Sequence, residues 1–251
     1  MFLDVLLKRS KKPLNAGRLA ARSDLLSAGA IIVVFALHAV YLSVPAEDAF
    51  ITFRFARHLA SGHGIVWNVG EAPVEGYTNF LWLLISALFL KLNLDVALAT
   101  QVLGVAASLI ALGVTARFAR QVFELPHRYA LLAVGLLAVS GPFATWAASS
   151  METNLFALLV LAASFWFARW VKRQRRRDLI ATQLALLAAT LTRPEGFLIF
   201  GVLAGLGLLL VLGARARGQV GRYLGALLVY AAPFAVYFAW RYQHFGYLLP
   251  N

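Results

Sequence analysis

Cysteine is absent from the chain, and acidic residues are scarce. Without cysteine the protein cannot form a disulfide, use a thiolate nucleophile or bind a metal through sulfur. Only 14% of the 251 residues are charged, whereas soluble domains carry about 25%. Basic residues outnumber acidic ones by 23 to 11, which gives a formal net charge of +12. Because the bases form short clusters between apolar segments, they indicate membrane topology rather than nucleic-acid binding.

Long apolar segments dominate the rest of the sequence. Hydrophobic residues make up 61% of the chain, well above the roughly 45–50% of soluble domains. A helix needs about 20 apolar residues to cross a hydrocarbon core about 30 Å thick. We therefore predict an all-α integral membrane protein. Its seven predicted transmembrane helices cover residues 25–43, 96–116, 129–147, 154–171, 179–192, 197–213 and 223–240.

The segment 80–93 is apolar but too short for a full span. Whether 80–93 crosses the membrane is decided by the Lys and Arg residues, which concentrate on the cytoplasmic side of membrane proteins. If 80–93 does not cross, the basic run 172–177 and most other bases face the cytoplasm. We therefore predict a basic cytoplasmic N-terminus over 1–24 and one transmembrane module over 25–251. The module contains a long outer loop over 44–95 with interfacial amphipathic helices, and its C-terminus lies outside.

The outer loop opens with two adjacent acids, Glu47 and Asp48, directly after the first span. The run that follows places Arg54, Arg57 and His58 on one face of an amphipathic helix. An acid at a helix N-terminus is favoured in its ionised form, which suits a base or a metal ligand. A capping role for Asp48 is the alternative. Because adjacent carboxylates repel, we expect a divalent cation, a substrate hydroxyl or an arginine to offset them.

The second half of the loop mixes acids, amides, aromatic rings and glycine turns. These groups are what a sugar-binding surface requires, and an interfacial aromatic belt is the alternative. The candidate substrate-binding residues here are Glu75, Tyr77, Asn79 and Trp82.

These motifs resemble the first outer loop of GT-C-fold membrane glycosyltransferases. The resemblance is strongest to bacterial enzymes related to arabinofuranosyltransferases of actinobacteria. It is weaker to aminoarabinose transferases and protein O-mannosyltransferases. The matching residues are 47–57, 62–64, 67–68 and 74–82, with shorter motifs at 150–153, 192–196 and 244–251. The resemblance implies transfer of a sugar from a polyprenyl-phosphate donor at the outer face of a bacterial inner membrane.

The resemblance also implies residue roles. The catalytic acid would be Asp48, with Glu47 as its partner, and these two acids would be the ligands of any divalent cation. Attack on an anomeric carbon needs a carboxylate to take the acceptor's proton, and inversion is implied. The leaving phosphate needs a cation, for which Arg193 is the first candidate, followed by Arg54 and Arg57. His58 and Glu195 complete the substrate-binding set. Arg193 could alternatively be a snorkelling arginine paired with Glu195.

The expected partners are a polyprenyl-phosphate sugar donor, membrane lipids, and a glycan, lipid or protein acceptor, with no nucleic acid. Members of the family are usually longer, so we expect a C-terminal part to be absent. A transporter or flippase of lipid-linked sugar and a non-catalytic membrane scaffold are the alternative functions. The spans carry few charges in their centres and the acids cluster at one face, which favours surface chemistry over passage.

Overall fold

The computed structural model describes the backbone of residues 14–213 and 217–248, and the side chains of 26–213 and 219–248. Within these ranges the only regular secondary structure is helix, and there is no strand. Most of the predicted basic N-terminus and the last three residues of the 244–251 motif lie outside the described residues. The helices are α1 (Leu14–Tyr41), α2 (Ala49–Ala60), α3 (Phe80–Lys91), α4 (Val96–Gln121), α5 (His127–Ala138), α6 (Gly141–Ala147), α7 (Thr153–Arg173), α8 (Arg176–Thr192), α9 (Glu195–Gly213) and α10 (Arg217–Phe245).

Four helices are long and apolar enough to cross a membrane, namely α4, α7, α9 and the part of α10 over Gln219–Phe245. The pair α5 and α6 would be a fifth span, bent by 64°. Two shorter apolar helices are α3 and the Leu26–Tyr41 part of α1. The described helices are therefore consistent with a multi-pass membrane protein, with four or five candidate spans by length and composition.

The predicted span 129–147 is wrong as a single straight helix. It is interrupted at Val139 and Ser140, and α6 begins with Gly141 and Pro142. Proline lacks the N–H that would continue the helix, and its ring clashes with the preceding turn. The Gly-Pro pair therefore accounts for the bend.

One end of the helix bundle is defined by contacts around Ser149 and Ser150. The indole Nε1 of Trp82, in the first turn of α3, donates to the Ser150 carbonyl at 3.0 Å. The Ser150 hydroxyl lies 3.2 Å from the carbonyl of Ala97, in the first turn of α4. The N–H of Ala46, just after α1, donates to the Ser149 carbonyl at 2.9 Å. The starts of α3 and α4 therefore lie close together at this end. The chain leaves this end along α3 and comes back to it through the short turn before α4.

Ion pairs join helix ends at the opposite end of the bundle. Lys172, near the end of α7, lies 2.8 Å from Glu124, which follows α4. Arg169 of α7 lies 3.3 Å from Asp178 in the first turn of α8. The helices α4 and α7 therefore run between the two ends, and α7 and α8 are antiparallel.

A close approach of α4 to the end of α6 depends on Gly104. A Cβ atom added at Gly104 would overlap the carbonyl oxygen of Ala147. Small residues at helix contacts are typical of membrane bundles, because lipid gives no hydrophobic drive between helices. Gly113, on the same helix, is exposed and has nothing within 4 Å of its Cβ position.

We predict that Gly104→Ala destabilises the folded protein by about 1–3 kcal/mol through overpacking. Gly113→Ala is the matched control, and it should leave stability unchanged or slightly raised, because alanine is the better helix former. Thermal unfolding of the purified protein in detergent measures both. Equal midpoints for the two variants would show that α4 and α6 do not touch at this position.

Candidate functional site

The helix α2 carries Asp48 at its N-cap position without using the side chain as a cap. The backbone of Asp48 is already helical, and its carboxylate makes no capping hydrogen bond. Asp95 shows the contrast, since its Oδ1 accepts the N–H of Leu98 at 3.0 Å at the start of α4. Both Glu47 and Asp48 are exposed. The capping alternative therefore does not apply, and the Asp48 carboxylate is open to a ligand.

Asp48 and Arg193 line one cavity of about 570 Å³, which we call the polar cavity. Four segments build it: the first turn of α2, the residues before α3, the α6–α7 connection and the turn between α8 and α9. Its polar lining consists of Asp48, Thr52, Tyr77, Thr78, Asn79, Glu152, Thr153 and Arg193. The structure thus brings together residues that are far apart in the sequence and were selected from separate motifs.

Glu152 connects three sides of the polar cavity. Its carboxylate is buried, with 4% of the residue exposed. Asn79 donates its Nδ2 to Glu152 Oε2 at 2.9 Å and also lies 3.0 Å from Thr52 Oγ1. On the other side, Arg193 Nη1 lies 3.5 Å from Glu152 Oε1. A buried carboxylate needs such partners, so Glu152 fixes the positions of the outer-loop amide and the arginine relative to each other.

Arg193 lies in the turn between α8 and α9 and is held by two acids. Its Nη2 lies 3.0 Å from Glu195 Oε1, so the predicted pairing with Glu195 is present. The hydrogen bond to Glu195 raises the pKa of the Arg193 guanidinium, while partial burial opposes this. The turn is tight because Gly196 packs on the backbone of Thr190, where a Cβ atom would overlap it. The side chain is therefore a fixed cation at the cavity wall.

Tyr77 lines the polar cavity, and its hydroxyl is buried without a hydrogen-bond partner among the described residues. Its ring is buried and packs on Phe55, with centroids 5.1 Å apart. Burial is the largest cause that raises the pKa of Tyr77, so the phenol remains neutral. A buried hydroxyl without a partner costs free energy.

Two predicted substrate-binding residues have internal partners instead. Trp82 is buried, does not line the polar cavity and donates to the Ser150 carbonyl. Glu75 is buried and pairs with Arg241 of α10 through two hydrogen bonds of 2.7 and 2.5 Å. Arg241 also donates to the carbonyls of Tyr247 and Leu248, each at 3.1 Å. These contacts fasten the loop before α3 to the end of α10.

Arg54, Arg57 and His58 lie on another face of α2 and line a different cavity. Of the three arginines predicted to bind the donor phosphate, Arg193 alone shares a cavity with Asp48. All three were candidates because the sequence alone does not indicate which faces of α2 are turned toward the bundle.

The described part of the chain offers few side chains that could bind a metal ion. No group of three or more His, Asp or Glu side chains is close enough to hold one there. Glu47 does not line the polar cavity, where the acids are Asp48 and Glu152. A divalent cation at Asp48 would therefore need oxygen ligands from a substrate or from water.

An apolar groove of about 490 Å³ adjoins the polar cavity. Its walls come from α9 and α10 and include Pro194, Phe197, Leu198, Phe234, Tyr237 and Phe238. Glu75 and Arg241 also line it. Thr78 lines both spaces, and the adjacent residues Arg193 and Pro194 each line one of them. A polar compartment and an apolar one therefore meet at Thr78.

The chemistry of these cavities follows from their own residues. Comparison of the chain with protein-family models, with curated proteins and with solved structures finds no match. The polar cavity offers the uncapped carboxylate of Asp48, the guanidinium of Arg193 and the exposed side chain of Thr78. This set can take a proton, stabilise an anion and hydrogen-bond a polyol.

Glu152 and Arg241 were not among the residues predicted for the site. Glu152 belongs to the short motif at 150–153, and the signal was an acid placed directly before an apolar helix. No local signal marks Arg241, because its partner Glu75 lies 166 residues away.

Removal of the Glu75 charge should destabilise the fold strongly. Glu75→Gln leaves Arg241 buried without an anion, and breaking such a pair costs about 3–5 kcal/mol. Glu71→Gln, an exposed acid of the same loop, serves as the control and should unfold like the unchanged protein. Unfolding midpoints in detergent provide the comparison, and a Glu75→Gln midpoint equal to the control would contradict the buried pair.

Proposed function

We propose that the protein is a membrane glycosyltransferase of the GT-C type that uses a polyprenyl-phosphate sugar donor. The single observation that carries the proposal is the common polar cavity of Asp48 and Arg193 beside an apolar groove. A lipid-linked sugar has the same two parts, a polar sugar phosphate and a long apolar chain. The acceptor is a glycan, lipid or protein hydroxyl at the outer face of a bacterial inner membrane.

In the proposed reaction Asp48 is the general base. Its carboxylate takes the proton of the acceptor hydroxyl as the acceptor oxygen bonds to the anomeric carbon. The bond from that carbon to the donor phosphate oxygen breaks, and its electron pair leaves with the polyprenyl phosphate. Attack from the side opposite the leaving group inverts the anomeric centre.

Arg193 stabilises the leaving polyprenyl phosphate. Guanidinium groups bind phosphate oxygens through paired N–H donors, and their charge persists at all physiological pH values. Arg193 already contacts Glu152 and Glu195. The phosphate therefore binds beside these acids, and its position is set by the guanidinium that they orient.

The apolar groove accommodates the polyprenyl chain next to the phosphate. Its aromatic and aliphatic walls, including Phe197, Phe234 and Phe238, bury hydrocarbon without offering competing hydrogen bonds. Thr78 at the junction lies where the phosphate would connect the two parts. In this proposal the donor therefore lies with its sugar in the polar cavity, its phosphate near Thr78 and its polyprenyl chain in the apolar groove.

We also propose seven membrane crossings with the N-terminus in the cytoplasm and α2 and α3 at the outer interface. In support, the start of α3 and the start of α4 both contact Ser150, so this segment begins and ends at one side. The basic residues Arg169 and Lys172 lie at the end opposite Asp48. The positive-inside rule then places Asp48 outside.

Asp48→Asn should abolish sugar transfer from a polyprenyl-phosphate donor in reconstituted vesicles. Loss of a general base costs roughly 10²–10⁴-fold in rate, and asparagine keeps the side-chain shape. Glu71→Gln, in the same loop but away from the polar cavity, should retain full transfer. An unchanged rate in a well-folded Asp48→Asn protein would remove Asp48 from the mechanism.

The absence of cysteine permits a direct topology experiment. Val69→Cys, in the outer loop, should react with a membrane-impermeant maleimide added outside intact cells, because Val69 is exposed. Phe123→Cys, exposed at the other end, should react after the membrane is opened. Labelling of both positions from one side would overturn the proposed topology.

A further inference from the structure

A second cavity lies between α2 and the turn that joins α3 to α4. We call it the basic cavity; Arg54, Arg57 and His58 of α2 line it, and its volume is about 650 Å³. Phe50, Phe53, Leu90 and Leu94 add apolar walls. None of its lining residues lines the polar cavity, so it is a separate space.

Arg54 is oriented by neutral groups and forms no direct ion pair with a described residue; the nearest carboxylate in its network is that of Glu71, which accepts a hydrogen bond from Asn68 Nδ2 at 2.8 Å. The Nε of Arg54 donates to the Trp67 carbonyl at 2.9 Å, and its Nη2 donates to Asn68 Oδ1 at 2.6 Å. The guanidinium carbon lies 4.1 Å from the centre of the Trp67 ring. By contrast, Arg193 and Arg241 are each paired with a carboxylate. The guanidinium of Arg54 is therefore prearranged without a resident anion.

Arg57 follows three residues later and lies on the same face of the helix. It is exposed, and no hydrogen bond or ion pair joins it to the described residues. His58 Nδ1 lies 2.9 Å from the Val66 carbonyl. Because a carbonyl only accepts, Nδ1 carries a proton, and Nε2 is the ring atom left for a ligand.

The basic cavity contains one acid, Asp95. Its Oδ1 is engaged as the cap of α4, where it accepts the Leu98 N–H at 3.0 Å. Two guanidinium groups and one carboxylate thus line the basic cavity, so its net charge is positive. Phe50 and Leu94, which are 58% and 48% exposed, place apolar surface beside these cations.

We propose that the basic cavity binds a phosphate group, supplied by an anionic phospholipid of the adjacent leaflet. Paired guanidinium groups match phosphate oxygens in geometry and charge. The exposed apolar side chains next to them suit the acyl chains of the same molecule, which a soluble phosphate would not need. The site is independent of the proposed transfer reaction, because it uses neither Asp48 nor Arg193.

Binding of defined probes to the purified full chain in non-ionic detergent tests the proposal. The probes are a short-chain phosphatidylglycerol, a phosphatidylcholine of equal chain length, and inorganic phosphate. We expect phosphatidylglycerol to bind at least tenfold more tightly than phosphatidylcholine. Phosphate that displaces phosphatidylglycerol at low millimolar concentration would assign the site to free phosphate. Failure to displace it would assign the site to the lipid.

Arg57→Gln removes the unpartnered cation and should weaken phosphatidylglycerol binding roughly tenfold, the usual effect of one charged hydrogen bond. Arg120→Gln makes the same change at an exposed position at the other end of α4, and should leave binding unchanged. Circular dichroism and unfolding midpoints establish that both variants fold. Equal affinity for the two lipids, or unchanged binding by a folded Arg57→Gln protein, would overturn the proposal.

Discussion

The arrangement of the site depends on the buried carboxylate of Glu152. It joins Asn79 of the outer loop to Arg193 of the α8–α9 turn, and it lies in the connection before α7. Burial of an unpaired carboxylate is costly, so the three segments must meet for this charge to be satisfied. The same requirement places Asp48 near Arg193, because Thr52, one turn after Asp48, contacts Asn79. One buried charge thus links the geometry of the candidate site to the folding of the bundle.

The ion pairs seen among the described residues lie at the ends of the bundle. Arg241 with Glu75 belongs to one end, and Arg169 with Asp178 belongs to the other. Within the hydrocarbon region the helices rely on close packing, as at Gly104, because lipid and side chains are equally apolar. Charged pairs at the ends therefore select which helices are neighbours, and small residues determine how closely those neighbours pack.

Local patterns in the sequence predicted several features correctly. The helix α2 follows from its amphipathic sequence and ends before Gly62, whose φ of 84° favours glycine. The bend between α5 and α6 was foreseeable from Pro142, although the hydrophobic run alone concealed it. Features that depend on distant partners were not predictable. The pairing of Glu75 with Arg241 and the separation of Arg54 from Asp48 both depend on which helix faces meet.

The placement of α2 and α3 has a consequence for the surrounding bilayer. Both helices are added at the end that holds Asp48, and the described residues at the other end contain no equivalent pair. With α2 and α3 at the outer interface, as proposed, the cross-section of the protein is larger in one leaflet than in the other. Such a wedge displaces unequal numbers of lipids from the two monolayers, and its insertion free energy depends on membrane curvature. Curvature stress in the host membrane then acts on the same helices that frame the site.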